Sequence, residues 1–177
     1  PMVPVSMFKE MELRSVPTGA VFKTVTSSGT TGQKTSKIVL DERTAAWQQQ
    51  TLQRIMADFI GEKRIPMLII DAPNVLRDRA LFSARGAGIL GFSIFGSKRC
   101  YALKEDMSLD LETVEAFLEK AGDGPVLVFG FTYMVWKYFY EPLKRSGHRL
   151  HLEHGFLIHG GGWKKLANEA VSPEEFR

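Results

Sequence analysis

Three unbroken apolar runs constrain this chain most: Met67-Leu68-Ile69-Ile70, Val126-Leu127-Val128-Phe129 and Phe156-Leu157-Ile158. Continuous aliphatic runs of this length mark strands covered on both faces, the condition of a parallel sheet. Helical patterns separate them. Leu52, Ile55, Met56, Phe59 and Ile60 recur on one helical face, with Asp41 placed as N-cap and Gly61 as the stop. Leu111, Val114, Phe117, Leu118 and Ala121 repeat the pattern between Asp110 and Gly122. Met134, Val135, Trp136, Tyr138 and Phe139 make a third helix apolar nearly all round, with Thr132 as its cap and Pro142 kinking or ending it. The alternation predicts an α/β fold, a layered, mostly parallel sheet flanked by helices.

The remaining segments carry weaker signals. Val21-Phe22-Lys23-Thr24-Val25 alternates apolar and polar, a half-buried strand, and Lys37-Ile38-Val39-Leu40 reads as its returning partner. Residues 99–103 suggest another strand, and Lys164 opens a further helical stretch. Residues 75–91 are ambiguous, because Gly86, Gly88 and Gly91 weaken a helix there.

The chain has 177 residues, the length of one ordinary domain. Its 23 basic and 20 acidic residues leave a net charge of +3, too small and too scattered to argue for nucleic acid. A single cysteine cannot form an internal disulfide, so a reducing, cytoplasmic setting is expected. No apolar run reaches the ~20 residues of a membrane span. The opening Pro1-Met2-Val3-Pro4 lacks the basic and apolar regions of a secretory signal.

In parallel sheets, ligands bind in the loops that follow the carboxyl ends of strands. Three loops qualify: residues 26–32, the turn Gly130-Phe131-Thr132, and the triple glycine Gly160-Gly161-Gly162. They share one rim only if their strands run parallel. The first, Thr26-Ser27-Ser28-Gly29-Thr30-Thr31-Gly32, has the chemistry of a phosphate cradle. Gly29 and Gly32 permit positive φ and close backbone approach, the hydroxyls of Ser27, Ser28, Thr30 and Thr31 donate hydrogen bonds, and successive N–H groups can form an anion nest. Lys34 and Lys37 add charge. The spacing is not that of a Walker A loop, since Lys34 stands where that motif needs its second glycine. Composition alone equally fits a plain polar hairpin or linker.

The string SSGTTG resembles the phosphate-binding loop of the adenylate-forming superfamily, which includes acyl-CoA synthetases and luciferases. The longer FKTVTSSGTTGQKTSKIVLD is most similar to the acyl-protein synthetase family, the fatty-acid-activating component of bacterial fatty acid reductase. ARGAGILGFSIFG, residues 84–96, and IHGGGWKKL, residues 158–166, resemble further family blocks in the same order. The resemblance covers residues 22–166. It implies ATP-dependent activation of a long-chain fatty acid to an acyl-adenylate, then transfer to a protein cysteine. It implies ATP and Mg²⁺ as cofactors, and an acyl-accepting protein within a reductase or thioesterase complex as partner. Ser27, Ser28, Gly29, Thr30, Thr31 and Gly32 would embrace the triphosphate with Lys37, and Thr30, Thr31 and Lys34 would act in catalysis. Gly160, Gly161, Gly162, His159 and Trp163 would lie against the adenine, and the turn 129–132 near the acyl pocket. Gln33-Lys34-Thr35 departs from the family pattern, in which a proline precedes the lysine. The resemblance also implies that residues 1–177 are a fragment of the large subdomain, without the small C-terminal one. The alternative is a non-catalytic nucleotide- or partner-binding module derived from such an enzyme.

Other motifs weigh less. Gly86-Ala87-Gly88-Ile89-Leu90-Gly91 matches the dinucleotide fingerprint, but no clear strand precedes it. Cys100 has cations beside it yet reads better as a buried structural residue. His148, His151, His154 and His159 cluster without the spacing of a metal site. Trp136, Tyr138 and Phe139 fit plain core better than an acyl tunnel.

Overall fold

The computed structural model describes residues 3–4, 6–26, 35–76 and 84–176. The chain forms two compact units, Pro1–Gly61 and Glu62–Arg177.

The first unit begins with one helical turn, α1 (Met7–Glu10). The strands β1 (Lys23–Thr26) and β2 (Lys37–Leu40) then pair antiparallel, from Lys23 opposite Leu40 to Thr26 opposite Lys37. Helix α2 (Glu42–Ile60) follows. Its start is fixed by the Asp41 carboxylate, which accepts the Thr44 N–H at 2.7 Å. Its end is fixed by Gly61 at φ 76°, a backbone angle that disfavours a side chain. The buried stripe is narrower than the sequence face. Met56 and Ile60 are buried and Leu52 is half-buried, at i, i+4 spacing, while Ile55 and Phe59 stay exposed beside them.

The second unit is built on four parallel strands in the order β4-β3-β5-β6. These are β3 (Ile65–Ile70), β4 (Gly96–Tyr101), β5 (Val126–Phe131) and β6 (Gly155–Gly160). Residues Met67 to Ile70 and Val126 to Gly130 are buried, as two-sided coverage requires. Leu68, Ile70, Cys100, Val126 and Val128 share one face with a core of Val114, Met134, Val135, Phe139 and Leu143. Those partners come from α4 (Leu111–Ala121), from α5 (Thr132–Met134) and its continuation, and from α6 (Glu141–Ser146). Phe129 points to the opposite face, where it stacks on Phe92 of α3 (Ala84–Phe92) at 4.8 Å. Helices therefore flank both faces, as the apolar runs predict.

Five local expectations change. β1 is exposed along its whole length rather than half-buried, with Phe22 and Val25 both on the surface. The third apolar run is not buried. β6 is an edge strand with Leu157 exposed, because among the described residues only β5 pairs with it. Thr132 does not cap its helix, since its hydroxyl reaches across to the end of β6. Pro142 does not end the helix either. Ahead of it the chain widens into a π-helix, Val135–Tyr140, in which the Glu141 N–H bonds to the Trp136 carbonyl. That wide turn accommodates a residue with no N–H to give, and α6 continues beyond it. Finally, residues 84–92 are helical despite their three glycines. Built onto Gly88, a Cβ would stand 3.0 Å from the Phe129 ring, so the glycine lets helix and strand approach.

Candidate functional site

Because β3, β5 and β6 are parallel, their carboxyl ends share one rim: Asp71, then Phe131-Thr132, then Gly160-Gly161-Gly162. The chain passes from β3 to its neighbour β4, then returns to the other side of β3 as β5. Strand order reverses there, and the crevice at such a reversal is where open α/β sheets hold ligands. The turns after β5 and β6 meet the shared-rim expectation. The strand that enters the Ser/Thr/Gly loop, β1, belongs to a separate antiparallel pair in the first unit, and residues 27–34 lie outside the described residues.

A buried ion pair occupies the reversal point. Asp71 is nearly fully buried; one carboxylate oxygen accepts the Ala72 N–H at 2.8 Å and the other faces Arg85 Nε at 3.3 Å. Arg85 also donates to the Tyr133 hydroxyl at 3.3 Å. Burial pushes the Asp71 carboxyl above its ordinary value, against the opposing pull of Ala72 and Arg85. Burial disfavours the Arg85 charge too, but Tyr133 and Asp71 more than offset it. The pair ties α3 and α5 to the end of β3.

A second cluster lies at the ends of β5 and β6. Thr132 Oγ1 stands 3.0 Å from His159 Nδ1, 2.9 Å from the Gly161 carbonyl and 3.3 Å from the Gly160 carbonyl. Gly161 takes φ 75°, and a Cβ there would meet the Phe131 ring at 2.9 Å. The glycine turn is thus shaped by Phe131 from within and remains exposed outside. Aromatic rings wall its far side. Phe176, in the last turn α7 (Pro173–Phe176), lies 4.8 Å from the His159 ring and 5.8 Å from Trp136, and Trp136 meets Trp163 edge-on at 6.5 Å.

The residues expected from sequence divide accordingly. His159, Gly160, Gly161, Gly162 and Trp163 come together with Thr132 on this rim. Lys37 is exposed at the start of β2, opposite Thr26. Ser27, Ser28, Gly29, Thr30, Thr31, Gly32 and Lys34 lie outside the described residues. Asp71, Arg85, Tyr133 and Phe176 were not singled out from the sequence. Asp71 alone had a signal there, as an acid directly after a buried run and hence at a strand's carboxyl end.

The weaker motifs find structural roles. Gly86, Gly88 and Gly91 sit inside α3 rather than in a strand-to-helix turn, so they do not form a dinucleotide fingerprint. Cys100 is buried, and burial together with Asp110 raises its thiol pKa, the environment of an inert cysteine. His148 pairs with Glu115, and among the described residues no group of three His, Cys, Asp or Glu could hold a metal. Trp136 and Phe139 are core. No described helix is long and apolar enough to cross a membrane.

Comparison with curated proteins and with solved structures finds no match. A family model described as "Acyl-protein synthetase, LuxE" matches residues 1–177, the whole of the sequence, including the glycine turn and the helix α3 that pack around Phe131. The chain therefore belongs to the acyl-protein synthetase family.

Proposed function

We propose that the chain serves ATP-dependent activation of a long-chain fatty acid for transfer to a protein cysteine. A carboxylate oxygen of the acid attacks the α-phosphorus of ATP, pyrophosphate leaves, and an acyl-adenylate forms. A cysteine thiolate then attacks the acyl carbon and AMP leaves. Nucleotidyl transfer of this kind depends on positioning and charge stabilisation rather than on a covalent protein partner.

The observation that carries this reading is the family match over the full sequence. The site chemistry supports it. Among the described residues nothing stands within 4 Å of the Cβ positions of Gly160 and Gly162, so backbone on this rim is accessible to a flat ring. The β1–β2 pair brings Thr26 opposite Lys37, so the two ends of the hydroxyl-rich segment stand side by side. Mg²⁺ would be held largely by the nucleotide's own phosphates, and it supplies charge neutralisation at the leaving pyrophosphate.

Titration with ATP and Mg²⁺ by calorimetry tests the reading. Ser28→Ala combined with Thr31→Ala removes two donors to a charged group and is expected to weaken binding at least about tenfold. Unchanged affinity in the double variant removes the loop from the mechanism, and no binding by the parent chain overturns the proposal. The alternative, a module that only docks a partner, draws on the exposed Trp47, Ile55 and Phe59 of α2. It predicts ATP-independent association and no adenylate.

A further inference from the structure

We infer that Thr132 is a positioning residue that holds His159 as its Nδ1–H tautomer, leaving Nε2 on the rim as a pure hydrogen-bond acceptor. Proton count fixes this tautomer. A threonine hydroxyl has one proton to donate and two lone pairs to accept with. Around Thr132 Oγ1 stand two carbonyl oxygens, Gly161 at 2.9 Å and Gly160 at 3.3 Å, and neither can donate. If the hydroxyl proton pointed to His159, a lone pair would face the Gly161 oxygen at 2.9 Å with no proton between them. The proton therefore lies toward the glycine carbonyls. The contact to His159 Nδ1 at 3.0 Å then needs its proton from the imidazole. In neutral His159 the second nitrogen, Nε2, carries only a lone pair.

The arrangement is rigid enough to matter. Thr132 is buried at the start of α5, directly after β5, and β5 is registered against β6 through Phe131 opposite Gly160. The His159 ring leans on Phe176 at 4.8 Å, which limits its rotation. One hydroxyl thus sets the glycine turn and the imidazole together. The ligand class follows from the acceptor: a group presenting a neutral N–H or O–H donor is favoured over one presenting only a carbonyl. Resting on the nucleotide reading above, that donor is the base amino group or a ribose hydroxyl.

Nitrogen NMR of ¹⁵N-histidine-labelled protein decides the first half. Spectra are taken at alkaline pH, where imidazoles are neutral, and the signal is assigned with His159→Gln. The wild type is expected to show a protonated Nδ1 and a bare Nε2. Thr132→Val should shift His159 toward the Nε2–H form, and Thr132→Ser should restore the original pattern. A wild-type Nε2–H signal, or an unchanged tautomer in Thr132→Val, overturns the inference. The wild-type spectrum decides even if the valine variant fails to fold. ATP, ITP, 2′-deoxy-ATP and 3′-deoxy-ATP are then titrated. ITP lacks the amino donor and the deoxy forms lack one hydroxyl each, so the expected loss of about 3–10-fold for one of them identifies the source. That loss should vanish in Thr132→Val, and an equal loss in both proteins overturns the acceptor role. If wild type binds no ATP, the nucleotide reading falls, while the tautomer still judges Thr132.

Discussion

Gly130→Ala should be among the most damaging single-methyl additions to this fold. Gly130 lies in β5, between β3 and the π-helix. An added Cβ would stand 2.9 Å from Ile70 Cβ and 2.9 Å from Val135 Cγ2. Carbon atoms pack best at about 3.5–4.0 Å, so both contacts fall short by more than about 0.5 Å. Ile70 Cβ is fixed to its backbone and cannot swing aside, and Ile70 is fully buried in the central strand. Relief requires β3 and β5 to separate or the helix to lift. Overpacking of this kind costs about 1–3 kcal/mol, while the stiffer unfolded chain returns about 0.4–1. The net expectation is about 1–2 kcal/mol of lost stability, or roughly 2–8 °C in melting temperature for a chain of this size. Urea unfolding followed by circular dichroism measures it. A Gly130→Ala protein within about 0.5 kcal/mol of wild type would refute the packing argument.

Arg85→Met should destabilise by about 3 kcal/mol, because it strands the buried Asp71 carboxylate, and adding Asp71→Asn should recover part of that loss. Asp71 has its own pH signature. Its folded-state pKa is raised by burial, so its contribution to stability is fully present below the ordinary carboxylate value and is lost as pH rises through the raised one. Denaturant titrations should therefore show wild type losing stability relative to Asp71→Asn across that window, and a flat or opposite difference contradicts the burial assignment. Phe176→Ala removes ring contacts to both Trp136 and His159. It should cost about 1–2 kcal/mol and red-shift tryptophan emission, and an unchanged spectrum would place Phe176 away from Trp136 in solution.

Most of the second unit was legible because its strands obey a simple rule. Met67 to Ile70 and Val126 to Phe129 are covered on both faces, and such runs have no polar interruptions to confuse their reading. Asp41, Gly61, Asp110 and Gly122 were legible because a helix end is solved locally, by a side chain or a positive φ within a few residues. The misreadings share the opposite property. Whether Phe156-Leu157-Ile158 is central or at the edge depends on a further strand pairing with it, which three residues cannot announce. Thr132 follows a strand and precedes a helix, the local signature of a cap, but its partners His159 and Gly161 are brought in by the β5–β6 register. Helix α3 pays about 1 kcal/mol for each glycine by propensity alone, and at Gly88 packing against Phe129 and Phe131 outweighs it. The candidate site was half legible for the same reason. The glycine turn is a string in the sequence, whereas the Asp71–Arg85–Tyr133 group exists only once the sheet has assembled.

The glycines of the second unit separate folding from binding. Gly88, Gly130 and Gly161 each meet a neighbour at 3.0 Å or less if given a Cβ, and their neighbours include Phe129, Ile70 and Phe131, so the core itself requires them. Gly160 and Gly162 flank the same turn, yet a Cβ at either meets nothing within 4 Å among the described residues, and neither has a positive φ. Folding therefore makes no demand for glycine at these two positions, and a strand-end glycine without a folding role is what close approach of a ligand to backbone would need. Gly160→Ala and Gly162→Ala should leave stability within about 0.5 kcal/mol of wild type. Both should weaken ATP binding measured by calorimetry, since the added methyls occupy the surface on which the nucleotide is proposed to lie. If both variants fold normally and bind ATP as tightly as wild type, the nucleotide does not lie on this turn, and the rim beside Asp71 becomes the place to look for it.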